Sequence, residues 1–282
     1  MALARRVSAN TRRFEADPAE KEMSLAAADV LRELVALSCR LGEPSRDCVI
    51  LGEGNTSAAI DDDWCYVKAS GVSLCGITER GFVKVNRKRV LELLAAGTRS
   101  DEQVKQTLMA AAGDPAGPRP SVETTFHVYL LGLPGVRFVG HTHPIAVNAI
   151  LCARNSREIV SGRIFPDEIV CLGRAPVYVP YTDPGVTLAL AIKQGVERFR
   201  EEEGEGPKAI LMENHGLVAL GGTPQEVETI TAMWVKTAQV LAGTFLFGGP
   251  RYLAAKHVDR IHTRPDEAYR KRALTGQDKA SQ

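Results

Sequence analysis

The first chemical signal in this 282-residue chain is His141-Thr-His143-Pro144, which closes the apolar run from Val136 to His141. An extended segment sends residues two apart to the same face, so both imidazoles leave the chain together and offer half a site for a divalent transition metal. The ordinary alternative is a pair of polar residues in a strand-to-helix loop, with Pro144 at a first helical position where its missing N–H costs nothing. A third histidine, His215, sits in Glu213-Asn-His-Gly216 between the apolar runs Ala209–Met212 and Leu217–Leu220. Three imidazoles and an open fourth position describe a catalytic zinc-type site rather than a closed structural one. Glu123, in Ser121-Val-Glu-Thr-Thr-Phe-His127, could serve such an ion as acid/base or as a displaceable ligand. Its plain reading is an acid that complements a helix N-terminus. His127 lies four residues on, on the same helical face, and reads equally well as a histidine satisfied by a local partner. His257 and His262 lie in a polar stretch and carry little weight.

The elements that must position these groups are legible as periods and stops. Apolar residues from Leu25 to Leu37 fall at helical spacing, with Ser24 as N-cap and Gly42 as stop. Val49–Ile60 and Trp64–Gly71 read as short strand, Gly-rich bend, strand, turn and strand, the turn being Asp61-Asp-Asp63. In the bend, Gly52-Glu-Gly-Asn-Thr-Ser57 could present backbone N–H groups to an anion; spacing alone favours a plain turn before a hairpin. It is neither a P-loop nor a dinucleotide fingerprint. Helices are expected over Asn86–Ala96, over Ser100–Ala112 with Ser100 as cap, over Ser121–Leu131 with Ser121 as cap, and over Pro144–Cys152. Glu168–Leu172 and Ala175–Val179 read as short strands, and Pro180-Tyr-Thr-Asp-Pro-Gly185 as a loop. Val186–Arg200 and Pro224 to about Leu246, capped by Thr223, complete the helices. The expected organisation is a loose N-terminal arm (1–22), one mixed domain (23–248) and a polar C-terminal extension (249–282) whose end, Gln277–Gln282, reads as frayed.

Composition bounds the partners. Apolar residues make up 44% and charged residues 24%, as in soluble globular chains, and the formal charge of +1 gives no field for nucleic acid. The basic runs Arg87–Arg89 and Arg270–Arg272 are short and read as solvated faces. The six cysteines form no C-x-x-C pair and mostly keep apolar company, which suits reduced core residues. The N-terminus has no apolar signal region and no apolar run reaches a membrane span, so the cytoplasm is the expected location.

Gly54-Asn55-Thr-Ser57, Ala69-Ser70-Gly71, Pro120-Ser121-Val-Glu123, His141-Thr-His143-Pro144 and Asn214-His215-Gly216 together resemble, in this order, the motifs of the class II aldolase/adducin family. The resemblance spans roughly residues 25–246. Fuculose-1-phosphate and rhamnulose-1-phosphate aldolases and L-ribulose-5-phosphate 4-epimerase belong to that family. The segment resembles the aldolase half of predicted bifunctional aldolase/short-chain dehydrogenase proteins more than the compact sugar-phosphate aldolases, and no dehydrogenase half is expected within these residues. The resemblance implies an α/β/α layered single domain with a central, largely antiparallel sheet. It implies one divalent metal per chain, usually Zn²⁺, held by His141, His143 and His215, with Mn²⁺ or Co²⁺ also compatible with imidazole ligands. It places the acid/base on Glu123 and the substrate or phosphate cradle on Gly54, Asn55, Ser70, Gly71 and Ser121. Val122 stands where the sugar-phosphate aldolases have a second serine, which removes one hydroxyl from that cradle. The stretch from about Gly97 to Arg119 is longer than in those aldolases. Tyr181 is the candidate for a tyrosine the family uses late in its chemistry. A homotetramer and a small carbohydrate-like substrate are the implied partners.

The function these readings imply is a lyase that cleaves or forms a C–C bond in a ketose or ketose phosphate, through an enediolate stabilised by the metal as Lewis acid. The family also hosts epimerisation, dehydration and decarboxylation on the same kind of site. A non-catalytic adducin-like binding module is the alternative of another class, since fold does not fix function.

Overall fold

A computed structural model describes residues 18–97 and 100–275. In chain order the elements are α1 (Pro18–Leu41), β1 (Asn55–Ala59), β2 (Trp64–Lys68), β3 (Phe82–Asn86), α2 (Arg87–Ala95), α3 (Asp101–Ala111) and α4 (Thr124–Leu130). They continue as β4 (Phe138–Thr142), α5 (Ile145–Leu151), α6 (Ser156–Ile159), α7 (Pro166–Leu172), β5 (Val177–Val179), α8 (Val186–Glu203) and β6 (Ala209–Met212). The last are β7 (Gly216–Gly221), α9 (Pro224–Thr244), α10 (Ala255–Thr263) and α11 (Pro265–Thr275). The expected N-terminal arm lies largely outside the described residues, as does Gln277–Gln282.

One seven-stranded sheet runs β3-β2-β1-β4-β7-β6-β5, antiparallel at every pairing except the parallel β5–β6 edge. Side chains two apart share a face, and both faces are apolar. On one side Val67, Val139, Ile210 and Val218 pack under α2, α3, α4 and α8. On the other, Ala58, Phe138, Leu211 and Leu217 pack under α1, α5, α7 and α9. The molecule is therefore a single α/β/α sandwich around a largely antiparallel sheet, as the resemblance implies.

Caps account for several helix starts. Ser100 and Gln103 form a reciprocal capping box, Thr223 Oγ1 accepts from Glu226 N at 3.1 Å beside Pro224 at the first turn, and Asn86 caps α2. Other expectations are corrected. The first helix begins at Pro18 and not after Ser24, because residues 20–23 are good helix formers that extend it outward. Val49–Leu51 is no strand; Leu51 turns into the left-handed region at φ 51. β3 occupies a stretch to which the sequence reading assigns no element and runs directly into α2. Residues 168–172 are helical, since Pro166 starts α7 and the Glu168 carboxylate accepts from Ile164 N at 2.8 Å. Pro144 occupies the N-cap of α5, one residue before the expected position. The polar extension after Gly248 forms α10 and α11, which pack on α7 and α9. All six cysteines are free, but Cys75 and Cys152 are exposed.

By length and composition, Pro224–Phe247 is apolar enough to cross a membrane, which corrects the sequence reading. Val227, Ile230, Trp234, Ala238 and Leu241 of this stretch are buried against the sheet and its neighbours, the stripe of a core helix.

Candidate metal centre

The site forms where three neighbouring chain segments end on the same side. β4 delivers His141 and His143, the turn into β7 delivers His215, and the turn before α4 delivers Glu123. The ligating nitrogens of the three histidines all lie within 4.8 Å of one another. Gly216 permits this closeness: a Cβ there would sit 2.6 Å from Thr142 O and 2.7 Å from His143 Cδ2. Gly54 does the same just ahead of β1, at φ 65, where a Cβ would sit 2.8 Å from His141 O.

The donor set fits a cation. His141 Nδ1 donates to Leu217 O at 3.0 Å, and His143 Nδ1 donates to Glu53 Oε2 at 3.3 Å. Both rings therefore aim the bare lone pair of Nε2 inward, and those two nitrogens stand 3.0 Å apart. Two facing acceptors repel unless a positive ion lies between them. Burial pushes the His141 imidazolium down to about 3, against the pull of Glu123, so the ring is a neutral ligand at physiological pH. Burial also lowers His143. Glu123 Oε1 is 3.3 Å from His215 Nε2, and Oε2 is 3.7 Å from His141 Nε2. Burial alone would raise this carboxyl; the facing His141 and His215 rings and the Asn55 amide hold it below the ordinary carboxylate range.

Glu123 is neither inside a helix nor capped by Ser121 in the expected way. The chain is pinned extended by a bridge between Ala69 and Pro120, Ser121 Oγ then accepts from Glu123 N at 3.3 Å, and α4 begins only at Thr124. This turn aims the Glu123 carboxylate at the histidines, and that carboxylate makes no capping bond to α4 although Glu123 is the helix's N-cap residue. Asn55 Nδ2 donates to Glu123 Oε2 at 2.5 Å. Gly71, at φ 77, lies against Gly52, so the two loops of the expected cradle touch; the Ser70 N–H is committed to Arg119 O at 2.9 Å. Val122 is exposed beside them. Tyr181 is exposed as well, its hydroxyl donating to Asp183 Oδ1 at 3.1 Å and not to the histidine cluster.

Sequence reasoning missed two residues here. Glu53 orients His143, and Lys68, buried under the cradle, donates to the carbonyls of Gly52 (3.0 Å) and Val72. Burial lowers the Lys68 ammonium to about 8. A glutamate between two glycines and a lysine ending an apolar strand were the available signals. Groups that orient a metal-bound histidine typically tune affinity 10–100-fold. Glu53→Ala is accordingly expected to weaken zinc binding by about 10–100-fold, read by competition with a chromogenic chelator.

A family model described as the Class II Aldolase and Adducin N-terminal domain matches residues 32–242. The chain belongs to that family. It is 30% identical over 235 residues to the uncharacterized oxidoreductase YuxG of Bacillus subtilis, a match covering 79% of this chain and 32% of that protein. The chain thus spans about a third of the length of this relative. It is 26% identical over 186 residues to methylthioribulose-1-phosphate dehydratase of Geobacillus kaustophilus, covering 61% of this chain and 80% of that enzyme. Among solved structures, the N-terminal class II aldolase domain of a conserved protein from Thermoplasma acidophilum superposes with a TM-score of 0.61 at 27% identity, over 86% of this chain and all of that one.

Proposed function

We propose that this chain is a divalent-metal-dependent lyase that makes or breaks a C–C bond in a ketose or ketose-phosphate-like substrate. The observation that carries the reading is the convergence of three imidazoles on one point beside the Glu123 carboxylate. His141, His143 and His215 hold the ion, Zn²⁺ by preference, with Mn²⁺ or Co²⁺ as substitutes. Once bound, the ion supplies Lewis-acid stabilisation of negative charge on the substrate's oxygens. Glu123 transfers the proton at the carbon beside the cleaved bond, a role that needs a carboxylate able to alternate protonation states. Asn55 holds that carboxylate in place. Gly54, Ser70, Gly71 and Ser121 receive the far end of the substrate, with Ser70 contributing its hydroxyl, since its N–H is already engaged. The buried Lys68 beneath them favours an anionic end. The chain acts as a cytoplasmic homotetramer on a small carbohydrate, not on nucleic acid.

A second reading keeps the site and changes the outcome to loss of water; the likeness to methylthioribulose-1-phosphate dehydratase supports it. Incubation of the zinc-loaded protein with ketose 1-phosphates and their unphosphorylated analogues, followed by NMR, separates the two. Aldehyde release is the expected result. Water loss without aldehyde selects the dehydratase reading. No turnover of any kind by fully loaded protein overturns both and favours a binding module.

A further inference from the structure

Behind Glu123 lies a chain of polar groups that the proposed chemistry does not use. Asn55 and Ser57, two residues apart on β1, face His127 on α4. All three side chains are buried, His127 and Ser57 completely. Ser57 Oγ is 2.7 Å from His127 Nδ1, and His127 Nε2 is hydrogen-bonded to Asn55 Oδ1. Asn55 Nδ2 then reaches Glu123 Oε2 at 2.5 Å.

The inventory of donors leaves one consistent direction. An ionised carboxylate only accepts, so the Asn55 amide must turn its NH₂ to Glu123 and its oxygen to His127. That oxygen needs a donor, which places the single imidazole proton of His127 on Nε2. Nδ1 is then the acceptor, and the Ser57 hydroxyl donates to it. Reversing the Asn55 amide would set its oxygen against the Glu123 oxygen, and no change of His127 tautomer relieves that clash. Burial keeps His127 neutral.

We infer that His127 is a positioning residue. The Asn55 oxygen sets its tautomer, Ser57 satisfies the remaining Nδ1, and through Asn55 the ring holds the one amide orientation that aims Glu123. The inference rests on the reading of Glu123 as the proton-transfer group. A helix histidine that merely filled space would need no particular tautomer and no particular amide orientation opposite it.

The test uses the full-length, zinc-loaded protein. Nitrogen-15 NMR of the histidines, with no substrate present, is expected to show His127 protonated on Nε2 and the Asn55 side-chain amide protons slow to exchange. His127→Phe is expected to speed that exchange and to lower kcat about 10²-fold, the cost of misplacing a reacting group, with KM and zinc content within about twofold of wild type. His127→Gln sets an amide N–H near the place of Nε2–H and is expected to recover most of the loss. Should His127→Phe fail to fold, Ser57→Ala serves: it leaves Nδ1 without a donor, loosens the ring and is expected to speed exchange of the Asn55 amide protons while the proton stays on Nε2. An Nδ1-protonated His127 in the wild type overturns the inference. So does equal kcat in the Phe and Gln variants, or a loss that follows zinc content. The tautomer is read without turnover. Nε2–H with no product on any substrate therefore counts against the lyase reading alone, and product with the wrong tautomer counts against the relay alone.

The same histidine makes the fold sensitive to acid. Its folded value lies at about 4 because burial disfavours the charged ring, against 6.5 for the free side chain. The unfolded chain therefore takes up this proton first. The contribution of this residue to stability is full above pH 6.5 and falls as pH drops toward 4, the Glu123 carboxylate opposing and the Lys68 ammonium adding to the effect of burial. Urea midpoints between pH 7.5 and 4 are expected to fall less steeply in His127→Gln than in wild type.

Discussion

His141→Ala/His143→Ala is expected to purify without its metal and without activity, where wild type carries about one transition ion per chain. The two rings supply two of the three convergent nitrogens, and His215 alone leaves the ion held by one imidazole and water. The Lewis-acid contribution is worth several kcal/mol, so turnover should drop by at least about 10³-fold. The fold should survive. The sheet is held by the apolar packing on both faces, and the wild-type rings hold two lone pairs 3.0 Å apart that alanine no longer opposes. Metal analysis of wild type and variant side by side, with circular dichroism to check the fold, decides the matter. A variant that still binds one zinc per chain, or a wild type that takes up none, removes the metal centre from the account.

Glu123→Gln separates chemistry from assembly. Glutamine keeps the shape of the side chain and an oxygen to accept from Asn55 Nδ2, so Asn55 stays in place. It cannot exchange a proton with carbon. Positioned proton transfer contributes about 10²–10⁴-fold, and kcat should fall by that factor while zinc content stays at the wild-type level. Full activity in this variant would move the acid/base role to another group. A parallel loss of zinc would show Glu123 acting chiefly as a ligand.

The histidine pair was legible because a period of two needs only an extended chain, and β4 carries that conformation up to Thr142. The caps at Ser100 and Thr223 were legible because capping is local chemistry. Ile169–Leu172 misled because four apolar residues in a row fit a strand or a buried helix turn equally; Pro166 and the carboxylate of Glu168 decided it. β3 escaped notice because Asn86 ends the strand and caps the next helix with no turn between them. Glu53 and Lys68 were invisible for another reason. Their partners, the His143 ring and the carbonyls of Gly52 and Val72, become neighbours only once the strands are paired. His127 showed its spacing from Glu123 but not the asparagine between them.

The register of the sheet carries one more consequence. Asn55 stands opposite His141 across β1 and β4, and His141 opposite Val218 across β4 and β7, beside the Leu217 carbonyl that receives the His141 proton. A slip of one residue along either pairing would turn Asn55 or His141 through the sheet to the other side. Only correctly paired strands can present the three nitrogens to one ion, so zinc binding rewards that pairing and no other. At a free concentration 100 times its Kd, an ion adds about 2.7 kcal/mol to the correct arrangement and nothing to a slipped one. A divalent ion present during refolding is thereby expected to act as a proof-reader of the sheet.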